Sequence, residues 1–370
     1  MLATMHVCIT GPKTCPPEIG GIEVFAFELG KRLCQRGLRT SIVCSRAPGQ
    51  TRAESIDGVE IHRVHALRGR YTLKLSMMPG VLSCTRKLNP TILHANDATS
   101  GFLVAGQTSR TKTVMTVHGL GFSKADWPFP FRQGIKYLQL AGVRRAHEVV
   151  ATDESTAHAL AEYRDRVSVI PAGVDVARFK SRGYPRPDIL SRDKTNIMFV
   201  GRLASVKGID LLLEGVSTLG DGLKSSVRLI VIGGGPMASS LGTIKDESVE
   251  VKFLGEIPHR DIAPFIANAD LFVLPSRSEG FPISLLEAMA CEVPVVSTMV
   301  GGVGTRLDDR YVTPIREPSA GAVAEALRYA LQNPSVLRSR AEAARGLVEK
   351  NYSLDSMTQM YCDIYERLVN

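Results

Sequence analysis

The chain has 370 residues, 44% of them hydrophobic and 22% charged, with a net charge of +8. This is an ordinary soluble composition, too long for one core, and it predicts two domains. No apolar run reaches the ~20 residues of a membrane span. The opening MLATMHVCITGP has neither a basic n-region nor a long h-region, so no signal peptide is read from it. The seven cysteines are scattered, with no C-x-x-C pair. That spacing argues against a zinc site or a disulfide framework and fits a reducing, cytoplasmic setting.

The charge is uneven. Residues 1–175 carry 22 Lys and Arg against 14 Asp and Glu, while residues 176–370 carry 23 of each. The first half therefore either has a solvated basic surface or faces something anionic, such as a phosphorylated acceptor or an acidic membrane. Nucleic acid is not expected, since no stacking aromatics accompany the basic residues.

Short apolar runs alternate with helical patterns, the signature of parallel sheets covered by helices. HVCIT (6–10) reads as the first strand, followed by a Gly/Pro-rich loop. Ile22, Phe25, Ala26, Leu29 and Leu33 then recur at helical spacing. SIVCS (41–45), TILHA (91–95), TVMTV (113–117) and EVVAT (148–152) are further strands, and SVIPAGVD (168–175) reads as the last strand of this half. Residues 176–195 read as a connection and surface loop. A second series follows: NIMFVGR (196–202), RLIVIGGG (228–235), VKFLG (251–255), LFVLPS (271–276) and VPVVST (293–298). One helix is predicted over about 320–349 and another over 354–369. The expected architecture is α/β: two facing, doubly wound Rossmann-like domains with a cleft between them. Residues 1–175 form the first, residues 176–353 the second, and residues 354–370 a C-terminal helix. Ligands of such sheets bind beyond the C-terminal ends of the strands.

Candidate chemistry gathers at those ends. Gly20 and Gly21 open a helix after a Pro-rich loop, an anion-accepting geometry. Asp97 and His118 each follow a strand, Asp97 as an acceptor-side candidate; a lone histidine is otherwise often structural. Arg202 and Lys207, in GRLASVKG, leave a strand together, and two cations there suit a diphosphate. In SEGFPISLLEAMA (278–290), Pro282 suits a helix's first turn, so N–H groups around Gly280, Phe281, Ile283 and Ser284 point out of the helix start. Glu279 lies at that mouth and Glu287 about one turn inside. The alternative for Glu279 is a carboxylate complementing the helix macrodipole. VIGGGPMA (231–238) satisfies G-x-G-x-x-A after a strand, with Glu250 near the place of a ribose-binding acid. It follows the second strand of its domain rather than the first, so a tight turn into a helix beginning at Pro236 is the plainer account.

Residues 63–87 set Arg63, Arg68, Arg70, Lys74, Arg86 and Lys87 around Leu73, Leu75, Met77 and Met78. This mixture suits either an interfacial segment on an anionic membrane or a basic loop and helix over the core.

Taken together, PPEIGG, ILHAND, TVHG, VIPAGVD, FVGRLASVKG, VIGGGP, FLGEI and SEGFPISLLEAMA resemble the retaining glycosyltransferases of family 4, which have the GT-B fold. Glu279 and Glu287 match that family's E-x7-E motif. The resemblance implies a nucleotide-diphosphate sugar as co-substrate, held by the second domain without a metal or cofactor. Arg202 and Lys207 would bind the diphosphate. Glu279 with the backbone of 280–284 would meet the sugar and phosphate, and Glu287 the ribose. Gly255 and Glu256 would lie by the base. Gly21 would approach the phosphate, His118 would face the transferred sugar, and the final helix would cross back to the first domain. The sequence departs from the family pattern at Glu292, where glycine is usual after a helix, and after Gly301-Gly302, where Pro-Glu is usual.

The expected function is transfer of a hexosyl unit with retention to an acceptor hydroxyl, in bacterial polysaccharide, glycolipid or cell-envelope glycan biosynthesis. The protein is expected in the cytoplasm or peripherally on the inner membrane face. A soluble small-molecule acceptor is the alternative. A nicotinamide oxidoreductase built on GGGPMA, a sugar phosphorylase and a non-catalytic nucleotide-sugar binder are the other classes weighed.

Overall fold

The structure is a computed structural model and describes residues 5–17, 20–67, 69, 72–106, 110–120, 129–241 and 249–370. Glu18 and Ile19 of PPEIGG, and Arg68 and Arg70 of the basic segment, lie outside the described residues. The chain divides into two compact units: residues 1–172 with 354–370, and residues 173–353.

The first unit runs β1 (His6–Thr10), α1 (Gly21–Gln35), β2 (Arg39–Ser45), β3 (Ala53–Ile56), β4 (Val59–Val64), α2 (Thr72–Leu88), β5 (Ile92–Ala95), α3 (Gly101–Ala105), β6 (Lys112–Val117), α4 (Phe129–Arg145), β7 (Glu148–Ala151), α5 (Glu154–Leu160) and β8 (Ser168–Val169). Its sheet order is β3-β4-β2-β1-β5-β6-β7-β8. Every pairing is parallel except β3 with β4. β1, β5 and β7 are buried throughout, which is why they read as unbroken apolar runs: helices cover both faces of a parallel sheet. The β3–β4 hairpin was not expected. Its signal was the Asp57-Gly58 pair, both at positive φ (51° and 84°), the backbone that a tight hairpin turn requires. The expected last strand shrinks to Ser168–Val169, because Pro171 has no N–H to extend the ladder.

The second unit runs β9 (Thr195–Val200), α6 (Ile209–Ser217), α7 (Asp221–Ser226), β10 (Val227–Ile232), β11 (Glu250–Gly255), α8 (Ala263–Ala267), β12 (Leu271–Leu274), α9 (Ile283–Ala290), β13 (Val295–Thr298), α10 (Gly302–Arg306), β14 (Thr313–Ile315), α11 (Ala320–Gln332) and α12 (Pro334–Asn351). The sheet is wholly parallel, in the order β11-β10-β9-β12-β13-β14. Order reverses between β9 and β12, the switch point where doubly wound sheets open at their C-terminal edge. The single helix expected over 320–349 is two. Pro334 cannot donate to a preceding turn, so α11 stops at Gln332 and α12 starts with the proline.

α13 (Leu354–Val369) belongs to the first unit and packs on it. Tyr361 and Tyr365 are fully buried. The hydroxyl of Tyr365 lies 2.6 Å from Nδ1 of His94, whose Nε2 lies 2.7 Å from Oγ1 of Thr116. Tyr361 reaches the same threonine at 2.9 Å. Burial holds the His94 imidazole down to about 3, so it is neutral and polar yet fully hydrogen-bonded.

Part of the basic segment 63–87 is structural, while Leu75, Arg86 and Lys87 remain exposed. Arg63 is buried against Glu54, and Lys74 pairs with Asp97 at 2.8 Å. Leu73 and Met77 pack into the core. Neither Arg63 and Lys74 nor Leu73 and Met77 remain for a membrane.

Candidate functional site

The expected donor residues of the second unit sit at or beyond the C-terminal ends of its strands. After β9 the chain turns through Gly201–Gly208. Gly208 adopts the left-handed region, φ 67°, and a Cβ there would collide with the carbonyl of Pro275. Glycine at this position therefore lets the Lys207 turn lie against the turn after β12. A bidentate ion pair ties the same two turns. Arg277 donates to Asp210 at 2.9 and 2.7 Å and to the carbonyl of Ser205 at 2.6 Å. Burial pushes the Asp210 carboxyl up, but the Arg277 hydrogen bonds and charge outweigh it and hold it below the usual range. Asp210 and Arg277 carried no signal in the sequence.

Between these turns, Lys207 Nζ contacts both carboxylate oxygens of Glu279, at 2.6 and 2.8 Å. Ser276 Oγ donates to Glu279 Oε1 at 2.6 Å. The Glu279 side chain is only 8% exposed, so it is a fixed anion rather than a mobile surface charge. Arg202 is exposed, and among the described residues its guanidinium has no ion-pair partner. The structure thus joins Lys207 to Glu279 and leaves Arg202 open to solvent at the same sheet edge.

Pro282 is the N-cap of α9, not a residue of its first turn: its ψ is 133°, extended rather than helical. The helix begins at Ile283. Leu285 and Leu286 return to the carbonyl of Pro282, which leaves the N–H groups of Ile283 and Ser284 at the helix start. Phe281 is buried, its ring 4.9 Å from Tyr352, so its backbone alone is offered to a ligand. Gly280 precedes it in the turn. Gly301, at φ 54°, packs so tightly that a Cβ would lie 1.9 Å from the carbonyl oxygen of Glu279. The segment that departs from the family pattern therefore backs the Glu279 turn. Arg306 from the same segment stacks on Phe281, 5.4 Å from its ring centre. Glu292 takes φ 58°, and the N–H of Val293 bonds the carbonyl of Ala288. A left-handed helix end is therefore present without glycine.

Glu287 is 3% exposed and its Oε1 lies 2.6 Å from Nε2 of His259. Gly255 ends β11 at φ 67°, and Glu256 is exposed beside the glycine turn. A Cβ on Gly234 would meet the Glu256 carboxylate. Gly233 and Gly235 pack on Gly201 and Leu203, with Leu203 N bonded to Gly234 O at 2.8 Å. GGGP therefore locks the Arg202 loop. Residues 236–240 form a turn where a helix beginning at Pro236 was expected.

In the first unit, Gly20 caps α1 at φ 106° and Gly21 begins it. The Glu23 carboxylate folds back over Gly20, where a Cβ would strike it, and accepts from Lys13 N at 3.1 Å. A carboxylate thus stands at this helix mouth. His118 follows β6, edge-on to Phe25 at 4.8 Å and 3.4 Å from Oδ1 of Asn96. Asp97, expected on the acceptor side, is engaged by donors of its own unit. Lys74 and Thr99 donate to Oδ2, and the N–H and hydroxyl of Ser100 to Oδ1. Four donors use the carboxylate's four lone-pair directions, so Asp97 is a cap for the 98–100 turn.

Two α/β units, each built on a largely parallel sheet, have the fold of a GT-B glycosyltransferase. The sucrose-phosphate synthase of Thermosynechococcus elongatus superposes with a TM-score of 0.86 at 20% identity, over 98% of this chain and 99% of that one. HepE of Anabaena in complex with UDP-glucose superposes at 0.79 and 17% identity, over 98% and 100%. The family described as Glycosyltransferase Family 4 matches residues 19–178, and that described as Glycosyl transferases group 1 matches residues 186–347. TuaC of Bacillus subtilis (strain 168), named for teichuronic acid biosynthesis, is 32% identical over 255 residues, 65% of this chain and 61% of that protein's length. The chain belongs to the GT4-type glycosyltransferases.

Proposed function

We propose that the protein transfers a hexosyl unit, with retention, from a nucleotide-diphosphate sugar bound by its second unit to an acceptor hydroxyl. The observation that carries this reading is the Lys207–Glu279 pair at the start of α9, with Arg202 open beside it. Breaking a sugar–diphosphate bond leaves negative charge on the leaving group. Arg202, Lys207 and the N–H groups of Ile283 and Ser284 would stabilise it where it develops. Glu279 would hold sugar hydroxyls, with Lys207 shared between it and the diphosphate. In a same-face substitution the leaving phosphate oxygen takes the acceptor proton, so no protein nucleophile is required. HepE, whose structures hold UDP and UDP-glucose, supports a nucleotide-sugar donor, and TuaC supports a role in glycan biosynthesis.

The test is a thermal-shift panel of nucleotide sugars with UDP, GDP and ADP, since a ligand stabilises the state it binds. One nucleotide and its sugar should raise Tm, and Lys207→Ala should abolish the rise. No shift with any of them would end the donor reading.

For the acceptor we propose a cytoplasmic enzyme whose first unit approaches an anionic membrane surface. All of the excess positive charge lies in residues 1–175. On α4, Phe129 is 66% and Tyr137 73% exposed, with Arg132, Lys136 and Arg144 on the same helix. No described helix is long and apolar enough to cross a membrane. Sedimentation with anionic vesicles at low salt checks this: Phe129→Ser with Tyr137→Ser should reduce binding. No binding by the unaltered protein would favour a soluble acceptor.

A further inference from the structure

Glu287 lies inside the start of α9 with a single imidazole against it. His259 comes from the 3-10 turn His259–Asp261 after β11, and its Nε2 is 2.6 Å from Glu287 Oε1. On the other side of the ring, His259 Nδ1 is 3.4 Å from Nη1 of Arg178, and a second nitrogen of Arg178 donates to the His259 carbonyl. Phe179 holds both, with its ring centre 5.8 Å from the imidazole and 4.9 Å from the guanidinium. A guanidinium can only donate. The lone pair of the imidazole therefore faces Arg178, and the ring proton sits on Nε2, where it is given to Glu287.

We propose that His259, held in one tautomer by Arg178, is a positioning residue that orients the Glu287 carboxylate toward the ribose of the donor. It rests on the donor reading above and on Glu287 as the ribose contact that the family resemblance implies. One carboxylate oxygen is committed to His259, which fixes the carboxylate plane and turns the other oxygen to a ribose hydroxyl. A buried carboxylate without this partner either rotates or draws in water, and the ribose contact weakens. His259 itself does not touch the nucleotide in this scheme. Selection for ribose over a sugar lacking hydroxyls then depends on a residue 28 positions before the carboxylate that reads it.

The experiment is calorimetric titration of UDP, GDP and ADP, each beside its 2′,3′-dideoxy counterpart, into the full chain and its variants. His259→Phe keeps the ring packing on Phe179 but has no N–H to give. It should weaken the bound nucleoside diphosphate about tenfold, the loss of one charge-assisted hydrogen bond. It should leave the dideoxy analogue unchanged. His259→Gln restores a donor and should recover most of the affinity. In turnover the loss should fall on donor KM rather than kcat. Arg178→Met releases the tautomer and should show a smaller loss of the same pattern, so a poorly folded phenylalanine variant does not end the test. If His259→Phe weakens both nucleotides equally, or neither, while Glu287→Gln weakens only the ribonucleotide, the positioning role is refuted and the donor site stands. If Glu287→Gln leaves every nucleotide unaffected, the donor reading of Glu287 falls, and the role of His259 with it.

Discussion

Gly301→Ala tests whether the segment after β13 holds the donor turn in place. Gly301 lies at φ 54°, and its added Cβ would sit 1.9 Å from the carbonyl oxygen of Glu279. An ordinary carbon–oxygen contact needs about 3.3 Å, so the two backbones must separate by roughly 1.4 Å. Both partners are main chain, so no rotamer change relieves the clash. Glu279 is bound to Lys207 and Ser276, and Gly301 is continuous with α10, which carries the buried Val303. Displacement of the 277–282 turn would carry Glu279 with it. A misplacement of about 1 Å at a reacting centre costs on the order of 100-fold in rate. We expect kcat/KM to fall by about that factor, with weakened nucleotide-sugar binding by calorimetry and a melting transition that remains cooperative. An alanine variant within twofold of the parent in both assays would refute the idea that Gly301 sets the Glu279 turn.

Further outcomes follow from individual residues. Lys207→Ala leaves the 8% exposed Glu279 without its cation, so it should lose both activity and stability, whereas exposed Arg202→Ala should lose activity with an unchanged melting temperature. Parallel turnover assays and thermal melts separate the two, and full activity in both variants would sink the assignment. Glu292→Gly removes a side chain from a left-handed helix end, which should stabilise by about 1 kcal/mol after the unfolded-state entropy of glycine is counted, seen as a higher urea midpoint. His94 is held at about 3 in the folded state against 6.5 unfolded, so the unfolded chain binds the extra proton between these values. Its contribution is whole above pH 6.5 and is lost as pH falls toward 3, at up to about 1.4 kcal/mol per pH unit. Urea titrations from pH 7 to 5 should show this slope, and His94→Gln should reduce it.

The sequence alone determined the alternation of strands and helices, the two sheets and the gathering of candidate residues at strand ends. Those features repeat locally: a buried parallel strand is an apolar run, and a glycine or proline marks where it stops. The Asp57-Gly58 hairpin and the break at Pro334 carry local signals of the same kind, but the hairpin was not expected and a single helix was expected over 320–349. Tertiary structure alone decided which side chains meet. Asp97 follows a strand and caps the next turn locally through Ser100, yet only the fold brings Lys74 from α2 to pair with it. Glu279 and Glu287 read as a pair in one helix motif, yet each takes a different partner, Lys207 from the turn after β9 and His259 from the turn after β11. Those partners lie 72 and 28 residues away. Spacing along a helix says nothing about such contacts, because the order of strands in the sheet, β11-β10-β9-β12, decides which turns stand beside the start of α9.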